Sequence, residues 1–521
     1  MRGTRSPEVE MLLGLNSLSH LAIELAFDCV GGLIDESELT EDLEAVKKAQ
    51  FFCDELTTRQ LSPQALAVLH YFRANSWAAY RKANDPERIR KLDWEQPEAE
   101  QEILNLRRAL NSPGFNDLDP RWKVQILTNL ASRMSELGRP FDAITYWDSA
   151  LAIDPNFGMA LGNRGTGFSK MADYLYDEGH IHVYLTLACK DLAKAIQSSS
   201  TYEDVRPFFQ LEFDQIKKFA HECEHIENPK EFSLGKSKAE KEYRQWCLKS
   251  RLFLNPLNDV LPKSISARDV FAMPSMTTAT PTLPPYFGLF NQLKQEFVSA
   301  RYLAFEAISR SSVHFSDKDV YLANTRDYPC FGLSFEQMKI AYRSAYSLLD
   351  KIAFFIRNYF GLELKENRVY FRTIWYKDGE KKNGLEPKLT AKTNLPLRGL
   401  FWLSKDLFHD DEDFRTAIEP QAQRLHEIRN FLEHKYVRLH SSQWRASALD
   451  QTMGEPNLWL SMSASDFEEK MLHILKVARA GITYLSLAVH SEESRRKAKY
   501  PKGKSAVMDI EEWDDEWKRN W

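Results

Sequence analysis

The residues best suited to phosphodiester chemistry lie in one stretch, Arg424-Leu425-His426-Glu427-Ile428-Arg429-Asn430-Phe431-Leu432-Glu433-His434-Lys435-Tyr436. Arg429, Asn430 and His434 form an R-N-x-x-x-H element, followed two residues later by Tyr436. An arginine brings a permanent forked positive charge, and a histidine a proton donor or acceptor near neutral pH. RNA cleavage is therefore the first hypothesis. In it His434 deprotonates a ribose 2′-hydroxyl or protonates the leaving 5′-oxygen, Arg429 stabilises charge on the phosphoryl oxygens, and Asn430 orients either group. No metal or other cofactor is required. Lys435 and Arg438 are candidates for holding neighbouring RNA phosphates, and Tyr436 for stacking on a base or bonding the backbone.

A helix is the element that must position these groups, and its pattern extends over residues 420–440. At about 100° per residue, Leu425, Ile428, Leu432 and Leu439 share a stripe that would pack into the core. Arg429 and Tyr436 fall on one flank of that stripe, and the i,i+4 pair Asn430 and His434 on the other side of the polar face. Arg429 and His434 then diverge by roughly 140°, too far to close on one phosphate from a single helix. Two copies facing across a twofold axis bring one arginine toward the other histidine. A homodimer or higher homo-oligomer is the expectation. Asp350, on a helix expected to pack nearby, is a candidate to orient Arg429, with an interhelical salt bridge as the alternative.

R-N-F-L-E-H-K-Y resembles the signature of HEPN domains, whose catalytic members carry R-x-x-x-x-H with a polar residue after the arginine. The resemblance implies an all-helical, metal-independent endoribonuclease that acts as a dimer in toxin or antiviral defence systems. The H-K-Y step resembles HEPN toxins paired with nucleotidyltransferase antitoxins. No nucleotidyltransferase signature is visible here, so that control does not carry over.

The rest of the chain also reads as helix. Residues 127–155 fit a tetratricopeptide (TPR) pattern, with Leu127, Leu130, Ala131 and Met134 on one helix, Gly138 in the turn, Ala143, Trp147 and Ala150 on a second, and Pro155 ending it. A second unit begins at Phe157 with Leu161, Gly165 and Phe168. Its second helix is expected to be displaced by an insertion and to resume near Asp191. Residues 61–84 read as a degenerate repeat. The expected fold class is all-α: an N-terminal TPR-like α-solenoid (1–225), a proline-bearing connector (226–284), a HEPN-like bundle (285–490) and a charged flexible tail (491–521). The concave face of such an array suits a protein or peptide partner. Arg368 to Lys388 reads as a short strand or hairpin.

His221-Glu222-Cys223-Glu224-His225 satisfies H-E-x-x-H, in which two histidines one turn apart bind zinc. Charged Lys217, Lys218, Glu224 and Glu227 surround it, no third ligand stands at a metzincin spacing, and Glu242 is only a distant candidate. A zinc hydrolase is the lesser alternative, and a noncatalytic TPR/HEPN interaction scaffold the greater.

The chain has 521 residues, 43% hydrophobic and 12% aromatic, enough for several cores. Its net charge of −5 excludes a globally basic nucleic-acid coat. Contact with RNA must then come from a local patch, as around Arg424, Arg429, Lys435, Arg438 and Arg445. Six scattered cysteines without a C-x-x-C pair suit a reducing cytoplasm. The apolar stretch 11–34 is broken by Asn16, His20, Glu24 and Asp28, so neither a signal peptide nor a membrane span is expected.

Overall fold

The computed structural model describes residues 5–85, 93–219, 232–277, 285–391, 393–408, 420–441 and 458–499, with 515 and 518, and gives no side-chain placement at 420–424. The architecture is all-α. The H-E-x-x-H motif at 221–225 and residues 500–514, 516–517 and 519–521 of the charged tail lie outside the described residues, while 491–499, expected to be flexible, continue the last helix.

The first half is built of helix pairs joined by short turns. Helices α1 (Pro7–Gly14), α2 (Ile23–Thr40) and α3 (Leu43–Thr57) enclose a small core of Leu18, Val30, Leu33, Val46 and Phe52. Then come α4 (Pro63–Asn84), α5 (Pro97–Asn111), α6 (Pro120–Glu136), α7 (Pro140–Ile153), α8 (Gly158–Ala172), α9 (Glu178–Gln197) and α10 (Arg206–Phe219). Proline occupies the first turn of α4 to α7, where its missing N–H costs no intrahelical bond. The Ser62, Asp119 and Asp177 side chains cap the amides that open α4, α6 and α9.

The pairing of α6 with α7 follows the sequence pattern, and Trp147 is buried against Gly167 of the next helix. The expected displacement in the second unit is corrected. Helix α9 follows α8 after a short turn and runs without interruption through Asp191. It packs closely because Gly165 leaves room for Leu192, whose side chain a Cβ at 165 would meet.

Residues 238–277 thread along the C-terminal bundle. Helix α11 (Lys238–Lys249) is followed by buried Leu252, Phe253 and Leu254, over which Arg479 donates to the carbonyls of Phe253 and Asn255 and pairs with Asp259 at 2.5 Å. The bundle itself comprises α12 (Pro285–Ser309), α13 (Leu333–Phe360), α14 (Leu395–Phe408), α15 (Pro420–His434) and α16 (Ala464–Lys499). Helix α16 is long and apolar enough to cross a membrane by composition alone, yet it is largely buried between the other helices. The 368–388 segment makes one antiparallel bridge, Tyr376 to Leu385, amid short 3₁₀ turns.

The motif helix stops earlier than its pattern indicates. Helix α15 ends at His434, Lys435 N–H closes onto the Phe431 carbonyl, and Tyr436–His440 is a strand, β1. It pairs in parallel with β2, Trp459–Ser463, in the register Tyr436 to Trp459 and Leu439 to Met462. Leu439 lies at a spacing that serves a helix stripe or an alternating strand equally well, so periodicity could not separate the two. The partner strand decides it, and it comes from some twenty residues further along the chain.

One apolar core runs from Ala67 to Val489, joining the helix pairs to the C-terminal bundle. Phe141 stacks on Tyr484 at 5.3 Å, and Trp94 lies 5.4 Å from Phe401. Helix α14 sits in this junction. Its Asp406 accepts bonds from Arg107 and Arg139, and its Lys405 pairs with Glu100. Gly138 has φ +86°, a backbone shape that glycine adopts freely, and a Cβ there would collide with the Leu395 carbonyl. A Cβ on Gly399 would in turn strike the Gly138 carbonyl.

Candidate functional site

Helix α15 is fixed to the bundle by its apolar stripe, with Leu425 and Ile428 fully buried. Tyr342 adds a hydroxyl that donates to the Leu425 carbonyl at 2.6 Å. This leaves Arg429 and Asn430 half-buried and His434 exposed at the last helical position. Arg429 lines a cavity of about 370 Å³ between α13, α15 and the 366–369 turn, shared with Arg343, Tyr346, Asp350, Lys351 and Glu433. Its guanidinium lies 5.9 Å from the Tyr346 ring centre and donates to Asn430 Oδ1 at 3.2 Å.

Asp350 faces the same cavity, but its carboxylate accepts the Phe371 N–H at 2.9 Å. Burial pushes the Asp350 carboxyl upward, against the pull of that bond and of the Arg429 charge. The group in direct contact with Arg429 is thus Asn430, while Asp350 acts on it through space.

His426 was not singled out from the sequence, although it is the hub of the arrangement. Its Nδ1 meets the Tyr346 hydroxyl at 3.0 Å and its Nε2 meets Asn430 Nδ2 at 3.1 Å. The Phe408 ring closes over it edge-on at 5.6 Å. Burial, and then the charges of Arg372 and Arg429, hold this imidazole below its ordinary pKa. A neutral ring can accept from the Asn430 amide and so fix which way Asn430 turns toward Arg429. The spacing His426, Asn430, His434 places all three on one helical row, and that i,i+4 series was the available signal.

Residues 277–492 match the family model described as LA2681-like HEPN. Those residues form a HEPN domain. No curated protein and no solved structure matches the chain.

Within the HEPN domain the candidate RNA contacts separate. Lys435 is exposed, with its ammonium 4.6 Å from the Phe431 ring centre. Tyr436 is 41% exposed at the start of β1. Because the chain becomes extended there, Tyr436 does not share a helix flank with Arg429, which corrects the helical placement. Arg438 is corrected as a phosphate contact. It is 8% exposed, pairs with Asp327 and lies 4.4 Å from the Trp459 ring centre. Those contacts consume its charge inside the fold.

Proposed function

We propose that this HEPN-domain protein is a metal-independent endoribonuclease working as a homodimer. The observation that carries the reading is the pre-set Arg429–Asn430–His426–Tyr346 chain beside an exposed His434. An arginine oriented by a neighbouring amide is prepared to stabilise a charged phosphoryl group without reorganising. An exposed histidine is available for proton transfer. Arg429 and His434 sit five residues apart on one helix, so their side chains diverge, and a symmetric partner supplies the complementary half.

In the proposed step His434 takes the 2′-hydroxyl proton, and the 2′-oxygen attacks the adjacent phosphorus. The P–O5′ bond breaks, leaving a 2′,3′-cyclic phosphate and a 5′-hydroxyl that receives a proton. The helix pairs are read as a TPR-like docking surface for a protein or peptide that governs this activity. A role as a toxin or antiviral effector follows from the HEPN resemblance, and a cytoplasmic setting from the scattered cysteines.

The test is incubation of purified protein with total RNA in EDTA. Cleavage should persist, and Arg429→Ala or His434→Ala should each lower it by about two orders of magnitude. Absence of cleavage with properly folded protein favours an interaction scaffold, and cleavage abolished by chelation turns attention to His221, Glu222 and His225.

A further inference from the structure

A second cavity, of about 390 Å³, opens between the 370–381 segment and helix α14 on the far side of Phe408 from the motif. Its size falls in the roughly 300–1,000 Å³ range of small-molecule pockets. The composition of its wall sets it apart from the Arg429 cavity. There Arg343, Lys351 and Arg429 are matched by Asp350, Glu366 and Glu433. Here Arg372, Lys381 and Lys405 line the space and, among the described residues, no carboxylate does.

Rings supply most of the remaining surface. Tyr370 is 52% exposed at the mouth, Tyr376 and Phe401 form the inner wall, and Phe408 closes the side toward His426. Thr373 and Ser404 add hydroxyls. Lys405 is held by Glu100, and Arg372 and Lys381 also interact with protein groups, so a ligand joins or exchanges with existing contacts. Arg372 is near enough to the motif for its charge to depress the His426 pKa. Cations give a site for phosphate, and exposed aromatic faces give a site for a base.

We propose that this cavity binds a nucleoside phosphate, either as a nucleotide of the RNA strand flanking the cut or as a free mononucleotide. Only the first source rests on the proposed ribonuclease activity. Phe408 lines this cavity and packs edge-on against His426 on the motif helix, so the two sites adjoin.

Full-length protein is titrated with AMP and, separately, with a 2′-O-methyl RNA hexamer that a 2′-hydroxyl mechanism cannot cut. Binding of AMP that falls about tenfold or more in Arg372→Glu/Lys381→Glu, and about tenfold in Tyr370→Ala, identifies a free-nucleotide site. Binding of the hexamer alone, weakened by the same variants, identifies the flanking RNA position. These side chains are exposed or half-exposed, so the fold should survive, and azido-AMP or azido-hexamer photolabelling of unaltered protein at 370–381 gives a second readout. Failure of both probes to bind, or binding unchanged in all three substitutions with labelling elsewhere, overturns the proposal. Loss of cleavage in His434→Ala with probe binding intact bears on the ribonuclease reading alone.

Discussion

Removing the Asp406 carboxylate should cost more stability than any exposed ion pair in the molecule. Asp406 is 4% exposed and accepts from Arg107 at 3.1 and 3.3 Å and also from Arg139. Arg139 keeps Asp142, with both bonds at 3.0 Å. Arg107 has no second acidic partner among the described residues and is itself buried. Asp406→Ala therefore strands one guanidinium and half-strands another. Breaking a buried pair from one side costs about 3–5 kcal/mol, mostly the penalty of the charge left behind. Urea unfolding of full-length protein, followed by tryptophan fluorescence, measures it. The double replacement Arg107→Met/Asp406→Leu should recover most of the loss, because no charge is left stranded at the Arg107–Asp406 contact. A loss below about 1 kcal/mol in Asp406→Ala, the size seen for surface pairs, would show the junction to be solvated and refute this account. Phe408 lies two residues on and covers His426, so a folded Asp406→Ala protein should also show altered RNA cleavage.

Mixing inactive Arg429→Ala with inactive His434→Ala subunits should restore partial cleavage, since one composite site in the mixed dimer regains both groups; an active monomer in sedimentation would sink this geometry. Gly399→Ala should destabilise the protein by about 1–3 kcal/mol in chemical denaturation, because the new methyl meets backbone and not a side chain that could swing away. His70 is pushed down to about 4, chiefly by burial and then by the Arg108 charge, so the unfolded chain binds its proton first on acidification. Stability from this group is complete above about 6.5 and is lost as pH falls from there toward 4. In His70→Phe, urea midpoints should fall less steeply across that window; an unchanged slope would remove His70 from the explanation.

The helical class, the α6–α7 pair and the R-N-x-x-x-H motif were legible because each rests on local spacing. Buried faces repeat every three to four residues, capping residues precede them, and Gly138 marks a turn whatever surrounds it. Helix α16 continues to Lys499, past the expected end of the bundle at 490. The divergence of Arg429 and His434 is also local, a property of any helix.

Tertiary structure decided what depended on residues far apart in the chain. Pairing with Trp459–Ser463 turned the end of the supposed motif helix into a strand, and Asp327 took Arg438 out of the candidate RNA surface. Tyr346 and Phe408, 80 and 18 positions away, made His426 the neutral hinge between Arg429 and its surroundings. The apolar residues Trp246 to Leu254 of the connector already indicate docking on a domain, but only the fold shows that Arg479 with Asp259, and Phe141 with Tyr484, tie the connector and the helix pairs to the bundle in one core. A sequence shows that a residue is apolar or charged. Which distant group satisfies it is settled only when burial forces every charge to find a partner.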